Sequence, residues 1–283
     1  MTYLTTHAKW ILSGEHSVIL NYPALVFPVP NLTLKLSIDQ SSQFTIKCNH
    51  DHLKELNKLI HQFKQLLGIH NTPAENLEFN NSIPIGQGLG FSGALCSILA
   101  KWAAHHNWVS HHDIFHSAQT LEHNFHGKSS GVDIAGCLAT TGLIYQNKNW
   151  STLPNKHFHL YISYTGRKSK THLCVEKVDR FRKQFDSSQS IDKLMEEATK
   201  LGIDAFKNDS FESLKKCILY GHTCFSKWGL IDPQTEHHIS TLINAGAIAC
   251  KPTGSGLGGH VISLWEKSPP PMPFALNQAL PSP

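Results

Sequence analysis

Three glycines at alternate positions mark the segment Pro84-Ile85-Gly86-Gln87-Gly88-Leu89-Gly90-Phe91-Ser92-Gly93-Ala94. Without a Cβ at these positions, successive backbone N–H groups can point into one concavity. Apolar residues at helical spacing follow, so the loop is expected to lead into a helix N-terminus, which adds partial positive charge. The segment therefore predicts an anion site suited to phosphate. It lacks the Gly-Lys-[Ser/Thr] ending of a Walker A loop, and a helix cap with a tight turn is the structural alternative.

A second glycine-rich segment, Thr253-Gly254-Ser255-Gly256-Leu257-Gly258-Gly259, spells G-x-G-x-x-G. A dinucleotide fingerprint also needs a βαβ unit and an acidic residue about 20 positions on. The following segment is rich in proline, and position 279 is Ala, so a Rossmann site is not expected. The pattern G-x-G-L-G recurs in both segments. This recurrence suggests two backbone elements of one site and leaves open whether they meet.

Composition excludes several classes of protein. The 283 residues are 40% apolar and 16% charged, which is typical of a folded chain with a proper core rather than a disordered one. The net charge of +4 is scattered without a basic run, so a nucleic-acid partner is not expected. No apolar stretch approaches the ~20 residues of a membrane span, and no signal peptide is recognised. We expect a cytoplasmic protein without a membrane partner.

Cysteine and histidine usage adds little chemistry. The seven cysteines include no C-x-x-C pair, so we expect small buried side chains in a reducing compartment rather than a zinc ribbon or disulfide framework. Histidines cluster between residues 105 and 126, and three of them, His112, His116 and His123, could share one helical face. No H-E-x-x-H or Cys/His quartet accompanies them. A solvated helix face is the simpler interpretation.

The patterning of residues 1–165 mixes strands and helices. Alternating apolar residues over 32–38 and 44–48, with Ser41-Ser42 between them, predict a β-hairpin. Helical spacing predicts helices over 53–67, after the first glycine-rich loop and over 112–126, and the alternation at 158–162 predicts a strand.

Residues 172–245 are mostly helical in pattern, whereas 261–264 resemble a strand and the proline-rich tail is expected to be extended or disordered. We therefore predict an α+β chain with domains 1–165 and 166–283. The first carries the phosphate loop, and the second is mainly helical with the later glycine-rich motif.

Four separated motifs carry a family resemblance. They are Lys9-Trp-Ile-Leu-Ser-Gly-Glu15-His16-Ser-Val-Ile, the first glycine-rich loop, the stretch from Glu122 through Gly127-Lys-Ser-Ser-Gly131-Val-Asp133, and Lys251-Pro-Thr-Gly254-Ser-Gly256-Leu-Gly258-Gly259. In this order they resemble the GHMP small-molecule kinases, over residues 9 to 264. The opening motif is most similar to that of members that act on mevalonate. The resemblance implies a two-domain α+β fold with the active site between the domains.

The resemblance also implies a reaction and a set of residues. The expected activity is transfer of a phosphoryl group from ATP, with Mg²⁺, to a small alcohol, namely the 5-hydroxyl of mevalonate. Asp133 corresponds to the catalytic aspartate and Lys9 to the lysine beside it, while Ser92 and Glu122 correspond to Mg²⁺ ligands. Glu15, His16 and Thr171 match positions near the acceptor. The implied nucleotide-binding positions are Gly86, Gly88, Gly90, Ser92, Gly93, Gly254, Gly256 and Gly258.

Elementary chemistry agrees with these roles. Phosphoryl transfer through a loose transition state needs positioning, charge neutralisation and a modest base. An ionised Asp can accept the hydroxyl proton, and a neighbouring Lys keeps it charged. A hydroxyl plus one carboxylate suits Mg²⁺, which retains waters and takes phosphate oxygens. Read without the motifs, Asp133 could instead be a helix cap and Lys9 a surface charge.

Departures from the family pattern leave alternatives open. His7-Ala8 stands where the family has Pro-Gly, Phe91 replaces the first serine of the phosphate loop, and Leu257 replaces a glycine. The acceptor could be phosphomevalonate, a sugar or homoserine. The chain could also be a nucleotide-binding regulator that has lost catalysis. A homodimer is left open.

Overall fold

The computed structural model describes residues 1–49, 53–126, 129–184 and 188–280. The α-helices are α1 (Leu53–Leu66), α2 (Phe91–His105), α3 (Ile114–His126), α4 (Val132–Leu138), α5 (Thr171–Gln184), α6 (Ser188–Asn208), α7 (Phe211–Lys227) and α8 (Pro233–Asn244). The strands are β1 (Thr2–Ser13), β2 (Ala24–Gln40), β3 (Thr45–Cys48), β4 (Glu75–Asn81), β5 (Leu143–Gln146), β6 (Asn149–Thr152), β7 (His159–Tyr164), β8 (Ala249–Thr253), β9 (His260–Trp265) and β10 (Asn277–Gln278). The mixture of helices and sheets confirms the predicted α+β class.

Contacts group the chain into two compact units, each assembled from separated stretches. Unit 1 comprises Met1–Ala8, Pro30–Ile83 and Gly90–Leu138, and unit 2 comprises Lys9–Val29, Pro84–Leu89 and Ala139–Pro283. β1 and β2 each contribute residues to both units. The division into residues 1–165 and 166–283 stays a prediction.

In unit 1 the predicted hairpin over residues 32–48 is wrong. The second half of β2 pairs with β4, in antiparallel register from Leu34 opposite Asn81 to Gln40 opposite Glu75. β3 pairs with β4 on the other side, in parallel, so β3, α1 and β4 form a crossover unit. Alternating apolar residues identify strands correctly, but they carry no information on which strand is the neighbour.

The helices of unit 1 confirm the predicted segments. α1 buries one apolar stripe, and Gly68 follows its end with φ 66°, as the predicted stop requires. α2 is buried along most of its length and packs against α3 and α4. A 3-10 turn at His111–Asp113 precedes α3. These contacts fix where the start of α2 and the start of α4 lie within the unit.

Unit 2 contains a four-stranded antiparallel sheet in the order β10-β7-β9-β8. β7 and β9 pair from His159 opposite Trp265 to Tyr164 opposite His260, which confirms both predicted strands. The helical pattern predicted for residues 172–245 is confirmed in α5 to α8, although Phe185, part of that pattern, lies outside the described residues.

The proline-rich tail is extended and ordered up to Leu280. β10 pairs with β7, and the Ala279 carbonyl accepts a hydrogen bond from the Trp10 indole at 3.0 Å. Phe274 lies 4.1 Å from the His238 ring, between centroids. Tail side chains pack on a cluster formed by Ile239, Leu242, Ala247, Cys250, Val261 and Trp265. The tail therefore completes the core of unit 2.

Most cysteines are buried, and three histidines of the cluster between residues 105 and 126 are exposed, as the sequence predicts. The seven cysteines, all within the described ranges, are free thiols, and six of them are buried. His112, His116 and His123 are exposed, as expected for a solvated helix face, and His126 lies where side chains are not described. In the part of the chain that the structure covers, no group of three or more His, Cys, Asp or Glu side chains could hold a metal ion.

Candidate active site

The end of the first glycine-rich loop caps α2 in unit 1. Gly90 is the N-cap residue, with φ 79°, and its carbonyl accepts from Ala94 N–H at 2.9 Å. Ser92 and Gly93 lie in the first turn of the helix. Early N–H groups of a helix lack intrahelical partners, and the helix dipole places positive charge there. This turn has the helix start that the sequence predicts, and anion binding there stays a prediction.

Asp133 lies beside this turn. It is the second residue of α4, and a Cβ placed on Gly93 would lie 3.3 Å from both the carbonyl carbon and the Cβ of Asp133. One turn further along α4, the Cys137 thiol donates to the Gly90 carbonyl at 3.4 Å. The structure thus brings Gly90, Gly93 and Asp133 together, and a side chain at position 93 would require the start of α4 to shift by a few tenths of an ångström.

Glu122 is tied to the segment that leads into α4. It is buried in α3, with 6% of its surface exposed, and its carboxylate accepts a hydrogen bond from the Ser129 hydroxyl. The same hydroxyl accepts from Gly131 N–H at 3.1 Å.

Burial, with a contribution from the charge of Glu122, raises the pKa of the Cys96 thiol well above its usual value.

Ser129 was not singled out from the sequence, although it lies inside the motif from Glu122 to Asp133. Its hydroxyl links Glu122 to the backbone that enters α4. Gly127 and Lys128 of the same motif lie outside the described residues.

In unit 2 the two glycine-rich loops meet, which the sequence left open. A Cβ on Gly254 would lie 3.3 Å from the Gly88 carbonyl oxygen, and one on Gly259 would lie 3.2 Å from that of Gln87. His260 Nδ1 donates to the Gln87 carbonyl at 2.9 Å. Left-handed φ values occur at the predicted nucleotide positions of these loops, Gly86, Gly88, Gly254, Gly256 and Gly258. Backbone approaches backbone, as a phosphate cradle requires.

Lys9 lies against the first loop. Its backbone N–H donates to the Leu89 carbonyl at 3.0 Å, and its Nζ lies 3.5 Å from the Gly88 carbonyl oxygen. The residue is 3% exposed, so it is not the surface charge of the alternative interpretation. Two residues along β1, the backbone of Ile11 makes two hydrogen bonds to the Thr253 hydroxyl, both at 2.9 Å. This strand therefore contacts both loops.

A third segment, residues 165–171, joins the two loops. Gly259 N–H donates to the Arg167 carbonyl at 2.7 Å, and Ser169 N–H donates to the Gly86 carbonyl at 3.2 Å. The Ser255 hydroxyl lies 2.8 Å from the Ser169 hydroxyl and donates to Thr171 Oγ1 at 3.4 Å. Thr171, a predicted acceptor residue, is thus adjacent to the second loop and starts α5.

Three exposed cations lie on this segment: Arg167, Lys168 and Lys170. The Lys168 stem passes over Gly86, where a Cβ would lie 3.3 Å from the Lys168 Cδ. Cations at this place favour an anionic ligand. The sequence carries a signal for these cations in the run Arg167-Lys168-Ser169-Lys170.

Glu15 forms a buried ion pair with Lys251. The Lys251 ammonium donates to Glu15 Oε1 at 2.6 Å, and the two residues are 0% and 3% exposed, respectively. Lys251 Nζ also lies 5.0 Å from the centre of the Phe225 ring. Burial raises the pKa of Glu15, and the Lys251 charge opposes this. Glu15 thus supports the start of the second loop, a partnership that spacing alone did not reveal. Its predicted contact with the acceptor stays a prediction.

His16 connects the opening motif to the second loop. Its Nε2 lies 3.0 Å from the Ser255 carbonyl oxygen, and its ring meets the Trp228 ring edge-on at 5.4 Å. Burial lowers the pKa of His16 to about 4, so the imidazole is neutral near pH 7. Since the carbonyl can only accept, Nε2 carries the proton and Nδ1 is left as an acceptor.

Comparison with known proteins agrees with this geometry. Residues 53–141 match the family model described as the GHMP kinases N terminal domain. A mevalonate kinase of Archaeoglobus fulgidus is 26% identical over 275 residues, which cover 95% of this chain and 94% of that protein. Over residues 53–141 the chain is therefore similar to the GHMP kinases. This match and the mevalonate kinase relatives indicate an ATP-dependent kinase of small molecules.

Solved GHMP kinases share the fold. The structure of L. major mevalonate kinase in complex with R-mevalonate aligns with a TM-score of 0.77 at 17% identity, covering 95% of this chain and 88% of that one. The Streptococcus pneumoniae phosphomevalonate kinase in complex with phosphomevalonate and AMPPNP also gives 0.77, at 14% identity, covering 95% and 93%. These likenesses show the fold and do not distinguish the acceptor. Within the described ranges, no helix of this kinase is long and apolar enough to cross a membrane.

Proposed function

We propose that this GHMP kinase transfers the γ-phosphoryl group of ATP to the 5-hydroxyl of mevalonate. The bond that forms joins the substrate oxygen to phosphorus, the bond to the β-phosphate oxygen breaks, and ADP leaves. The hydroxyl proton passes to the carboxylate of Asp133. Because the transition state is loose, the base need only be ionised and correctly placed.

The observation that carries this proposal is the contact between Gly93 and Asp133. A carboxylate-bearing residue lies at the N-terminal turn of the helix that follows the glycine-rich loop. A helix start attracts phosphate, whereas a carboxylate repels it, so their proximity is unfavourable for simple anion binding. A phosphoryl-transfer reaction, in contrast, needs the carboxylate close to the helix start, because the base must reach the hydroxyl that attacks the bound phosphate.

The loops of unit 2 support the nucleotide part of the proposal. The glycine-rich backbone of 86–89 and 254–256, with the buried ammonium of Lys9 beside Gly88, is suited to oxygen anions, whereas the N–H groups of Leu257 and Gly259 are bound to other carbonyls. The chain continues directly from Leu89 to Gly90 and the start of α2.

Ser92 and Glu122 fit Mg²⁺ by the chemistry of their oxygen donors. One hydroxyl and one carboxylate are few ligands, but Mg²⁺ keeps several waters and takes phosphate oxygens. When bound, the ion would neutralise phosphate charge. The chain's own contribution is to hold Glu122 in place through Ser129.

The acceptor assignment is supported by the curated relative from A. fulgidus, which bears the name mevalonate kinase, and by the opening motif. His16 supplies a neutral acceptor nitrogen, and Lys168 and Lys170 supply cations for a carboxylate, whereas Arg167 is paired with Asp232 at 3.6 Å. We therefore assign His16 and Thr171 to the acceptor side.

The test is to incubate the purified protein with Mg²⁺–ATP and mevalonate, phosphomevalonate, galactose or homoserine, and to detect phosphorylated products by mass spectrometry. We expect phosphomevalonate from mevalonate. Asp133→Asn should lower kcat by about 100-fold or more while ATP binding by calorimetry is retained. Asp113→Asn is the matched control, because Asp113 is an exposed carboxylate in the same unit.

Each outcome decides a part of the proposal. Product from another acceptor alone would replace mevalonate, and near-normal turnover of Asp133→Asn would remove Asp133 as the base. ATP binding without transfer to any acceptor would favour the regulator that the departures at Phe91 and Leu257 left open.

A further inference from the structure

The turn that carries His16 has an unusual backbone. His16 has φ 61° and ψ −40°, a region that residues with side chains rarely occupy. Ser17 N–H donates to the Glu15 carbonyl at 2.7 Å, and Val18 N–H donates to that of Gly14 at 3.0 Å. Such a conformation costs free energy and persists only where surrounding contacts hold it.

Arg182 of α5 and Asp192 of α6 form a buried ion pair behind this turn. Arg182 Nε donates to Asp192 Oδ2 at 3.0 Å, and Nη2 donates to Oδ1 at 2.7 Å. Asp192 is 3% exposed. A buried pair contributes little net stability, because desolvation offsets the attraction between the charges. Stability alone therefore does not explain why this ion pair is present.

Both members of the pair also bind the turn. Arg182 Nη2 donates to the His16 carbonyl at 3.1 Å, and the Ser17 hydroxyl donates to Asp192 Oδ1 at 2.7 Å. The pair therefore holds two consecutive residues of the turn. With the backbone held from this side and Nε2 bound to the Ser255 carbonyl, the imidazole of His16 has a fixed position.

We propose that Arg182 and Asp192 are positioning residues that act through His16 to set the affinity of the kinase for its acceptor. The inference rests on the proposed function, because it takes His16 as a contact of the acceptor. A displaced imidazole weakens that contact but leaves the phosphate-binding loops in place. The effect should therefore fall on the acceptor and not on ATP.

Arg182→Met tests this directly, since it keeps the apolar stem and removes the hydrogen bonds. We expect the KM for the acceptor to rise about tenfold. This is the change in affinity that the loss of about one good hydrogen bond would cause. The KM for ATP should stay within about twofold of the wild-type value. Asp179→Asn is the matched control, because it removes an exposed carboxylate 3.7 Å from the same guanidinium, and its acceptor KM should not change.

A double-mutant cycle separates positioning from a general structural role. His16→Asn removes the imidazole and introduces a residue that adopts positive φ more often than most others, and it should raise the acceptor KM by itself. In that background Arg182→Met should add less than about twofold, because the group it positions is already gone. Effects that multiply, or an equal rise in the KM for ATP, would overturn the proposal.

Arg182→Met leaves Asp192 as an unpaired buried charge, which can prevent folding. In that case Arg182→Met/Asp192→Leu replaces the pair with apolar groups, and a wild-type acceptor KM in this folded variant contradicts the proposal. The wild-type protein is assayed first, with whichever acceptor it phosphorylates. Absence of all transfer overturns the proposed function together with this inference. Transfer with multiplicative effects overturns this inference alone.

Discussion

Replacing Gly93 with Ala should slow catalysis without unfolding the protein. The added Cβ would lie 3.3 Å from the carbonyl carbon and Cβ of Asp133 and 3.4 Å from its carbonyl oxygen. Carbon atoms pack best at about 3.5–4.0 Å, so the start of α4 must move by a few tenths of an ångström. The displaced residue is the one to which we assign proton acceptance.

The expected effect on kcat follows from that displacement. A misplacement of about 1 Å can cost about 100-fold in rate, so on a logarithmic scale about 0.3–0.5 Å corresponds to about four- to tenfold. The effect on stability should be small, because Ala favours a helix over Gly by about 1 kcal/mol and the tight contact costs a similar amount. We therefore expect kcat to fall about four- to tenfold, with the free energy of unfolding within about 1 kcal/mol of wild type.

Gly68→Ala gives the opposite expectation and serves as the control. Gly68 has φ 66° just after α1, with nothing within 4 Å of an added Cβ. The substitution should cost about 1 kcal/mol of stability through backbone strain alone and leave kcat unchanged. Initial rates with Mg²⁺–ATP and acceptor, measured beside denaturant unfolding, separate the two variants. A folded Gly93→Ala protein with the wild-type kcat would contradict this reasoning. It would show that turnover does not depend on the spacing between α2 and α4 that places Asp133.

Three further predictions concern stability. Lys251→Met should lower the free energy of unfolding by about 3–5 kcal/mol, because it strands the buried Glu15 carboxylate, and Glu15→Leu in the same chain should recover much of that loss in denaturant titrations. Burial lowers the pKa of His238 to about 4, so below about pH 6.5 the unfolded chain binds a proton that the folded chain does not. Stability should therefore fall between pH 6.5 and 4, by up to about 3 kcal/mol from this residue, and His238→Gln should flatten that part of the pH profile. Phe274→Ala should cost about 2 kcal/mol by removing its contact with the His238 ring, and a wild-type melting temperature would show that the tail does not contribute to the core.

Local elements could be predicted from the sequence because their signals are local. The helix over 53–67 and its stop at Gly68 follow from residue spacing and one glycine, and both are present. The hairpin over 32–48 failed because strand pairing is set by distant residues. β4 begins at Glu75, 27 positions after β3 ends at Cys48, and it lies between β2 and β3 in the sheet. Its register with β3 runs from Thr45 opposite Asn76 to Cys48 opposite Phe79.

Parts of the candidate site were predictable for the same reason. The glycine positions and the helix start after Gly90 follow from the local sequence, and the resemblance singled out Asp133 and Lys9. The ion pair between Glu15 and Lys251 was not foreseen, because its members are 236 positions apart and either could have faced solvent. The two side chains need each other's charge only because both are buried in the folded chain, where an unpaired charge is unfavourable.

Leu257 illustrates how a departure from a motif can be misinterpreted from sequence alone. The family has glycine at this position, and Leu257 keeps a left-handed φ of 52°, which costs a residue with a side chain about 1–2 kcal/mol. Its N–H donates to the Leu230 carbonyl at 2.8 Å, and its side chain packs on the apolar cluster around Phe225 and Trp228. Burying part of a leucine there contributes about 1–2 kcal/mol, enough to offset the strain. The substitution therefore changes how the loop is anchored while the backbone keeps the left-handed conformation typical of glycine, so it does not by itself argue for lost catalysis.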